Sequence, residues 1–181
     1  MLTIVVPETE YFDETTNEFI VVPETLLNLE HSLVSLSKWE SKWEKPFLTS
    51  TEKTDEEAVS YIRFMTLDEN VPQEVYRRLT RSNLKDVQEY IEAKMTATTF
   101  VELPGKGKVS SEIVTAELIY FWMITFKIPF ECQHWHLNRL TTLIKVCERK
   151  NQPSKKMSKS DIAARYRELN AQRKAQYGTT G

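Results

Sequence analysis

The feature that most constrains the fold is a long apolar stretch, Ser110–Cys147, which proline interrupts once, at Pro129. Apolar side chains cover most of the circumference of the helix predicted from about Ser110 to Lys127. A helix that is apolar on most sides is either buried at the centre of a domain or presented to a partner. A second helix is predicted from about Gln133 to Arg149, and the short break indicates that the two helices pack as neighbours.

Two β-branched runs near the amino terminus, Leu2–Val6 and Glu18–Val22, both end in Val-Val-Pro. Such runs on either side of a polar segment favour a β-hairpin, so these two are predicted to pair. Alternating leucines then favour a third strand from Thr25 to about Glu30, and apolar spacing of three and four favours a helix from about Ser32 to Lys45. We therefore expect a small β element, either a hairpin or three strands, over about residues 1–31.

The rest of the chain carries helix signals. Only 4 glycines, with 40% hydrophobic and 28% charged residues, indicate a globular protein with a helical bias. Thr54 and Glu57 have the spacing of a capping box at the start of a helix. The predicted fold class is α+β, mainly α. A helical part, about residues 32–150, completes a single globular domain, residues 1–150, and a basic helical tail follows at residues 151–181.

Charge is distributed unevenly, although the formal net charge is only −2. Residues 1–60 hold 13 acidic and 4 basic side chains, whereas residues 145–181 hold 10 basic and 3 acidic ones. These ends either attract each other between copies or serve solubility as two solvated faces. The basic end lacks a nucleic-acid motif, so nucleic acid is a disfavoured partner. Its candidate partner-binding residues are Lys155, Lys156, Lys159, Arg165 and Arg173.

Cysteine and histidine cluster in the apolar stretch, where Cys132, His134 and His136 precede Cys147. Known zinc sites place ligand pairs as C-x₂₋₄-C and H-x₃₋₅-H, whereas here only Cys132 and His136 are four residues apart. No pattern for a nucleophile elbow, a phosphate-binding loop or a metalloprotease is present. We expect no enzymatic activity, no metal and no cofactor. Two cysteines make no disulfide framework, and no signal peptide or membrane-length apolar segment is evident, which predicts a cytoplasmic protein without a membrane partner.

Several segments carry a family resemblance. They are the YFWM helix, the segment IPFECQHWHLNRLTTLIKVC, the KKMS motif, the ending ELNAQRKAQYGT and, nearer the amino terminus, EHSLVSLSKWESKWEKPF. Together they resemble tail assembly chaperones of long-tailed (siphovirus-type) bacteriophages. The resemblance implies a non-enzymatic protein that binds and solubilises the phage tape measure protein during tail morphogenesis. It also implies action in the host cell cytoplasm and absence from the mature virion.

A chaperone of this kind needs accessible aromatic surface, and the candidate partner-binding residues in the apolar stretch are Tyr120, Phe121, Trp122 and Trp135. The opposite charges of the two chain ends would also suit self-association along a client. The alternative is a virion structural or nucleic-acid-binding protein that acts through the basic C-terminal segment. The burial of Trp122 and Trp135 distinguishes a helix at the domain centre from one that faces a client.

Overall fold

The structure, a computed structural model, describes residues 1–13 (backbone only at 11 and 13), 17–49, 52–100 and 112–151, with residues 163, 166, 167 and 170. In this part of the chain four strands precede six helices. The strands are β1 (Leu2–Val6), β2 (Thr9–Asp13), β3 (Glu18–Val22) and β4 (Thr25–Leu29). The helices are α1 (Leu33–Trp43), α2 (Asp55–Met65), α3 (Gln73–Arg77), α4 (Arg81–Glu92), α5 (Ala116–Thr125) and α6 (Leu137–Asn151).

The predicted α+β, mainly α class is confirmed. The chain divides into two compact units, Met1–Glu148 and Arg149–Gly181.

The four strands form one antiparallel ribbon with a single interruption. β1 pairs with β4, and β2 pairs with β3. The register continues from one pair to the next: Val6 lies opposite Thr25, and Thr9 lies opposite Val22. On each side of the ribbon, a segment of two residues between consecutive strands therefore spans the interruption, and each segment contains one proline.

The two prolines explain the interruption. Pro7 and Pro23 have no amide hydrogen to donate to a strand ladder, and each follows a Val-Val pair. Arg78 binds at this point, because its Nη1 donates to the carbonyl oxygens of Pro7 (2.9 Å) and Val22 (3.3 Å). The predicted pairing of β1 with β3 is wrong. β1 pairs instead with β4, the predicted third strand, and β3 pairs with β2, which was not predicted.

The β1–β4 end of the ribbon covers the hydrophobic core. The segment that follows α2 binds the outer edge of β4: the Leu67 amide donates to the Asn28 carbonyl (2.8 Å), and the Asp68 carboxylate accepts from the Asn28 amide (2.7 Å). The core also draws on α1, α2, α5 and α6. Its largest fully buried apolar side chains are Trp39, Leu27, Leu29, Leu33, Leu36, Met65, Ile119, Met123, Leu137, Leu140 and Val6.

Capping and proline residues set the helix boundaries. The predicted capping box of Thr54 and Glu57 is confirmed at the start of α2. The helix predicted from about Gln133 instead begins at Leu137, because Phe130–His134 form a 3₁₀ turn after the proline. Across the described residues, no helix is both long enough and apolar enough to span a membrane.

Candidate functional site

Helix α5 begins at a buried junction with α1. Thr115 caps the helix, and its hydroxyl accepts from the Leu118 amide (3.5 Å). The buried Glu40 carboxylate accepts from the Ala116 amide through Oε2 (2.7 Å) and from the Phe47 amide through Oε1 (2.8 Å). A carboxylate at the first amide of a helix also interacts favourably with the positive end of the helix dipole. Glu40 therefore fixes where α5 starts relative to α1.

The other end of α5 is closed by a Schellman motif. Lys127 has a left-handed backbone (φ 54°), and its amide donates to the Ile124 carbonyl (3.1 Å). The Ile128 amide donates to the Met123 carbonyl (2.8 Å), which completes the motif. Both Ile128 and Met123 are buried, and these are the two positions at which apolar residues frequently accompany this motif. Pro129 follows directly and cannot continue the helix. The helix is thus fixed at both ends.

Opposite faces of α5 meet different environments. The core-facing side chains are Ala116, Ile119 and Met123, which are fully buried. Phe121 and Ile124 lie three residues apart on the other face and are 59% and 62% exposed. Phe130, in the 3₁₀ turn, is also more than half exposed. We call Phe121, Ile124 and Phe130 the α5 apolar surface.

Two further aromatic candidates, Tyr120 and Trp135, are partly buried. The Tyr120 hydroxyl donates to Gln133 Oε1 (2.9 Å), and its ring centroid lies 6.4 Å from that of Phe130. Burial raises the pKa of Tyr120, so the hydroxyl remains a donor at neutral pH. The Arg139 guanidinium lies 4.1 Å from the centroid of a Trp135 ring, a cation–π contact. These contacts hold both rings in place without a partner.

The sequence left open whether the apolar helix is buried at the domain centre or exposed, and the structure shows that one face is buried and another is exposed. Trp122 and Trp135 are each half-buried, Tyr120 is similar, and Phe121 is exposed. Ile124 was missed as a candidate, although its helical spacing from Phe121 could have grouped the two. The basic candidates lie outside the described residues: Lys155, Lys156, Lys159, Arg165 and Arg173.

Cys132, His134 and His136 do not converge on one site. Cys132 is buried, and burial raises the pKa of its thiol, which disfavours the reactive thiolate. His134 is exposed, whereas His136 Nε2 donates to the Tyr90 carbonyl (2.9 Å) while its Nδ1 accepts from the Asn138 amide (3.3 Å). Within the described residues, no group of three His, Cys, Asp or Glu side chains could hold a metal ion.

His136 instead pairs with His31 inside the core. Their ring centroids lie 5.0 Å apart, and His31 Nδ1 is hydrogen-bonded to the Tyr61 hydroxyl. The Leu137 amide donates to the His31 carbonyl (2.7 Å). Burial, and secondarily the neighbouring His136, lowers the pKa of His31 from 6.5 to about 3, and burial also lowers the pKa of His136. Both rings are therefore neutral in the folded protein at neutral pH.

We expect the free energy of unfolding to fall as the pH drops below about 6.5. His31 is neutral when folded but takes up a proton near pH 6.5 when unfolded, so the unfolded state binds more protons below that pH. This contribution to stability is complete above pH 6.5 and is lost progressively towards pH 3, by at most about 1.4 kcal/mol per pH unit.

Urea unfolding at about pH 7 and about pH 5.5, above the range in which most carboxylates titrate, measures this dependence. A His31→Gln variant has no titratable ring at this position, so its stability should change less over the same interval. Equal changes in the two proteins would contradict the assignment to His31.

The α5 apolar surface offers contact rather than reactive chemistry, since its three members are hydrocarbon side chains. Exposed apolar side chains on a helix with fixed ends, and in the turn that follows it, can bind an apolar segment of another protein.

Comparison of the sequence with protein-family models and with curated proteins, and of the structure with solved structures, finds no match.

Proposed function

We propose that this chain is a tail assembly chaperone of a long-tailed bacteriophage. It binds the tape measure protein and keeps it soluble until the tail tube subunits polymerise around it. It acts in the host cytoplasm and leaves before the particle is complete. The sequence resemblance from Thr115 onward suggests this identity, and the α5 apolar surface is the observation that carries the binding role.

The fixed ends of α5 support this proposal. Glu40 holds the start of the helix and the Schellman motif closes its end, so little backbone freedom is lost when a client binds. Surfaces that are ordered before binding lose less entropy in the complex. Phe121 is a suitable anchor, since aromatic side chains often dominate the energy of protein interfaces. The exposed charges of Glu117 and Lys127 at the rim would keep the complex hydrated.

Co-expression with the tape measure protein from the same genome tests the proposal. The unmodified chain should yield a soluble complex. A Phe121→Ser/Ile124→Ser variant should weaken the complex by at least about tenfold, since truncation of a hot-spot side chain costs about 2 kcal/mol or more and about 1.4 kcal/mol is tenfold in affinity. The measurements are the soluble fraction of the client and the dissociation constant of the purified complex.

The matched control is Leu67→Ser, which removes another exposed apolar side chain. It should leave both client solubility and affinity unchanged, and the control and the α5 variant should melt close to the unmodified chain. A client that aggregates equally with and without the unmodified chain would overturn the chaperone role. Full activity of the Phe121→Ser/Ile124→Ser variant would instead move the binding site away from α5.

A further inference from the structure

The β2–β3 half of the ribbon, which we call the arm, carries an apolar face that the other described elements leave open. Within the described residues, β2 and β3 pack extensively only against each other. Phe12 lies opposite Phe19, with ring centroids 5.1 Å apart, and Val21 lies opposite Glu10. These four side chains share one face because strand side chains alternate. Phe12, Phe19 and Val21 are 46%, 68% and 54% exposed.

This face continues the core-facing side of β1 and β4. Ile4 and Val6 of β1 are buried, as is Leu27 of β4. Because the register is continuous and side chains alternate with a period of two, Phe12 follows Ile4 and Val6 on the same side of the ribbon. The ribbon thus remains mainly apolar on this side beyond the point where the core ends, with Glu10 as a charged exception. Such a pattern indicates a second surface that covers the arm.

A groove between α1, α2 and α3 has the complementary chemistry. Its volume is about 380 Å³, and its apolar lining includes Val59, Phe64 and Tyr76. Three cations, Lys42, Arg63 and Arg77, also line it, against one carboxylate, Glu56. Neither Arg63 nor Arg77 forms an ion pair within the described part of the chain. No arm residue lines the groove.

We propose that this chain self-associates by placing the arm of one copy in the groove of a second copy. Phenylalanine side chains of the arm would contact Val59 and Phe64, while the arm's carboxylates, Glu10 among them, would face Arg63 and Arg77. The groove is at the small end of protein binding pockets, a size that suits side chains of a narrow ribbon rather than a whole helix. Opposite charges would orient the two copies and accelerate their encounter. The interface does not use the α5 apolar surface, so it stands independently of the chaperone role.

Sedimentation velocity over a range of concentrations tests the proposal with the full chain. The unmodified protein should self-associate, and added salt should weaken the association because exposed charges contribute to it. An arm variant, Phe12→Ser/Phe19→Ser, and a groove variant, Arg63→Glu/Arg77→Glu, should each associate at least about 30-fold more weakly, the usual consequence of losing an interface hot spot.

Mixing the two variants gives the sharpest result. The arm variant keeps its groove and the groove variant keeps its arm, so a mixture should form a one-to-one heterodimer although each variant alone is monomeric. A Leu26→Ser control, which alters an exposed residue of β4 outside the arm, should associate normally. All substituted side chains are exposed or half-exposed, and thermal melts should show that each variant is folded.

A monomeric unmodified protein at every concentration would overturn the proposal, as would variants that fail to pair when mixed. A groove that binds a synthetic acidic, phenylalanine-containing peptide while the unmodified chain remains monomeric would show that another protein occupies it, and would also overturn self-association.

Discussion

Replacing Trp39 with alanine should lower the free energy of unfolding by about 3–5 kcal/mol, the range for truncating a large buried aromatic side chain. Trp39 is fully buried, and its ring packs edge-on against Phe47 at a centroid distance of 5.0 Å. Its Nε1 donates to the Glu57 carbonyl (2.8 Å). The substitution would leave a cavity in the core and remove one of the hydrogen bonds that the Glu57 carbonyl accepts, the other being from the Ser60 hydroxyl (3.1 Å). Urea denaturation monitored by circular dichroism measures the loss.

Trp43, four residues later on the same helix, provides the matched control. It is half-buried, and its Nε1 donates to the Ser60 hydroxyl (2.7 Å). Trp43→Ala should cost clearly less, about 1–2 kcal/mol, because less apolar area returns to water. Trp39→Phe should fall between the two, since it keeps most of the ring volume but loses the indole donor. Equal costs for the two alanine variants would contradict the central position of Trp39.

Replacing Glu40 with alanine should cost about 2–6 kcal/mol, because two buried amides would lose their acceptor and each such loss costs about 1–3 kcal/mol. The amides are those of Phe47 and Ala116. Beyond global stability, the start of α5 should loosen. Hydrogen exchange should therefore accelerate more at the α5 amides than at those of α6, and the α5 apolar surface should bind the proposed client more weakly.

An exposed acid near the same helix start, Glu117, is the control. Glu117→Ala removes a charge from the first turn of α5 but no buried hydrogen bond, so it should cost only about 0.3–1 kcal/mol. Glu40→Gln should be intermediate, since its amide retains one accepting oxygen. If the α5 amides exchange in Glu40→Ala as they do in the unmodified protein, Glu40 does not position the helix.

Local signals in the sequence predicted much of the helical part of the fold. The Thr54 capping box and the Pro129 break act on neighbouring residues, and both can be recognised without knowing which distant residues pack against these helices. The strand pairing was mispredicted because β2, TEYFD, was not recognised as a strand although its Tyr and Phe favour one, so Leu2–Val6 and Glu18–Val22 were the nearest runs left to pair. Which strands pair depends on contacts far apart in the chain.

The candidate site was only partly predictable for the same reason. The all-round apolar character of α5 identified the helix but not its exposed face, since exposure depends on which elements pack beside it. Glu40 gave no signal at all. It is one glutamate on an amphipathic helix, and its role comes from an amide 76 residues later. The arm and the groove could not be predicted either. The arm depends on the ribbon register, and the groove depends on how three helices pack.

The bond between the His31 carbonyl and the Leu137 amide has a consequence for synthesis of the protein on the ribosome. The β-bridge between Ser32 and His136 lies beside this bond. The start of α1 can therefore contact the start of α6 only after the ribosome has synthesised the chain as far as Leu137. At roughly 5–20 residues per second, the intervening chain takes roughly 5–20 s to translate. During that time the ribbon and α1 lack part of their core, and the nascent protein exposes the apolar surface that the finished fold buries. A chain stopped before Leu137 should therefore aggregate rather than accumulate as a folded fragment.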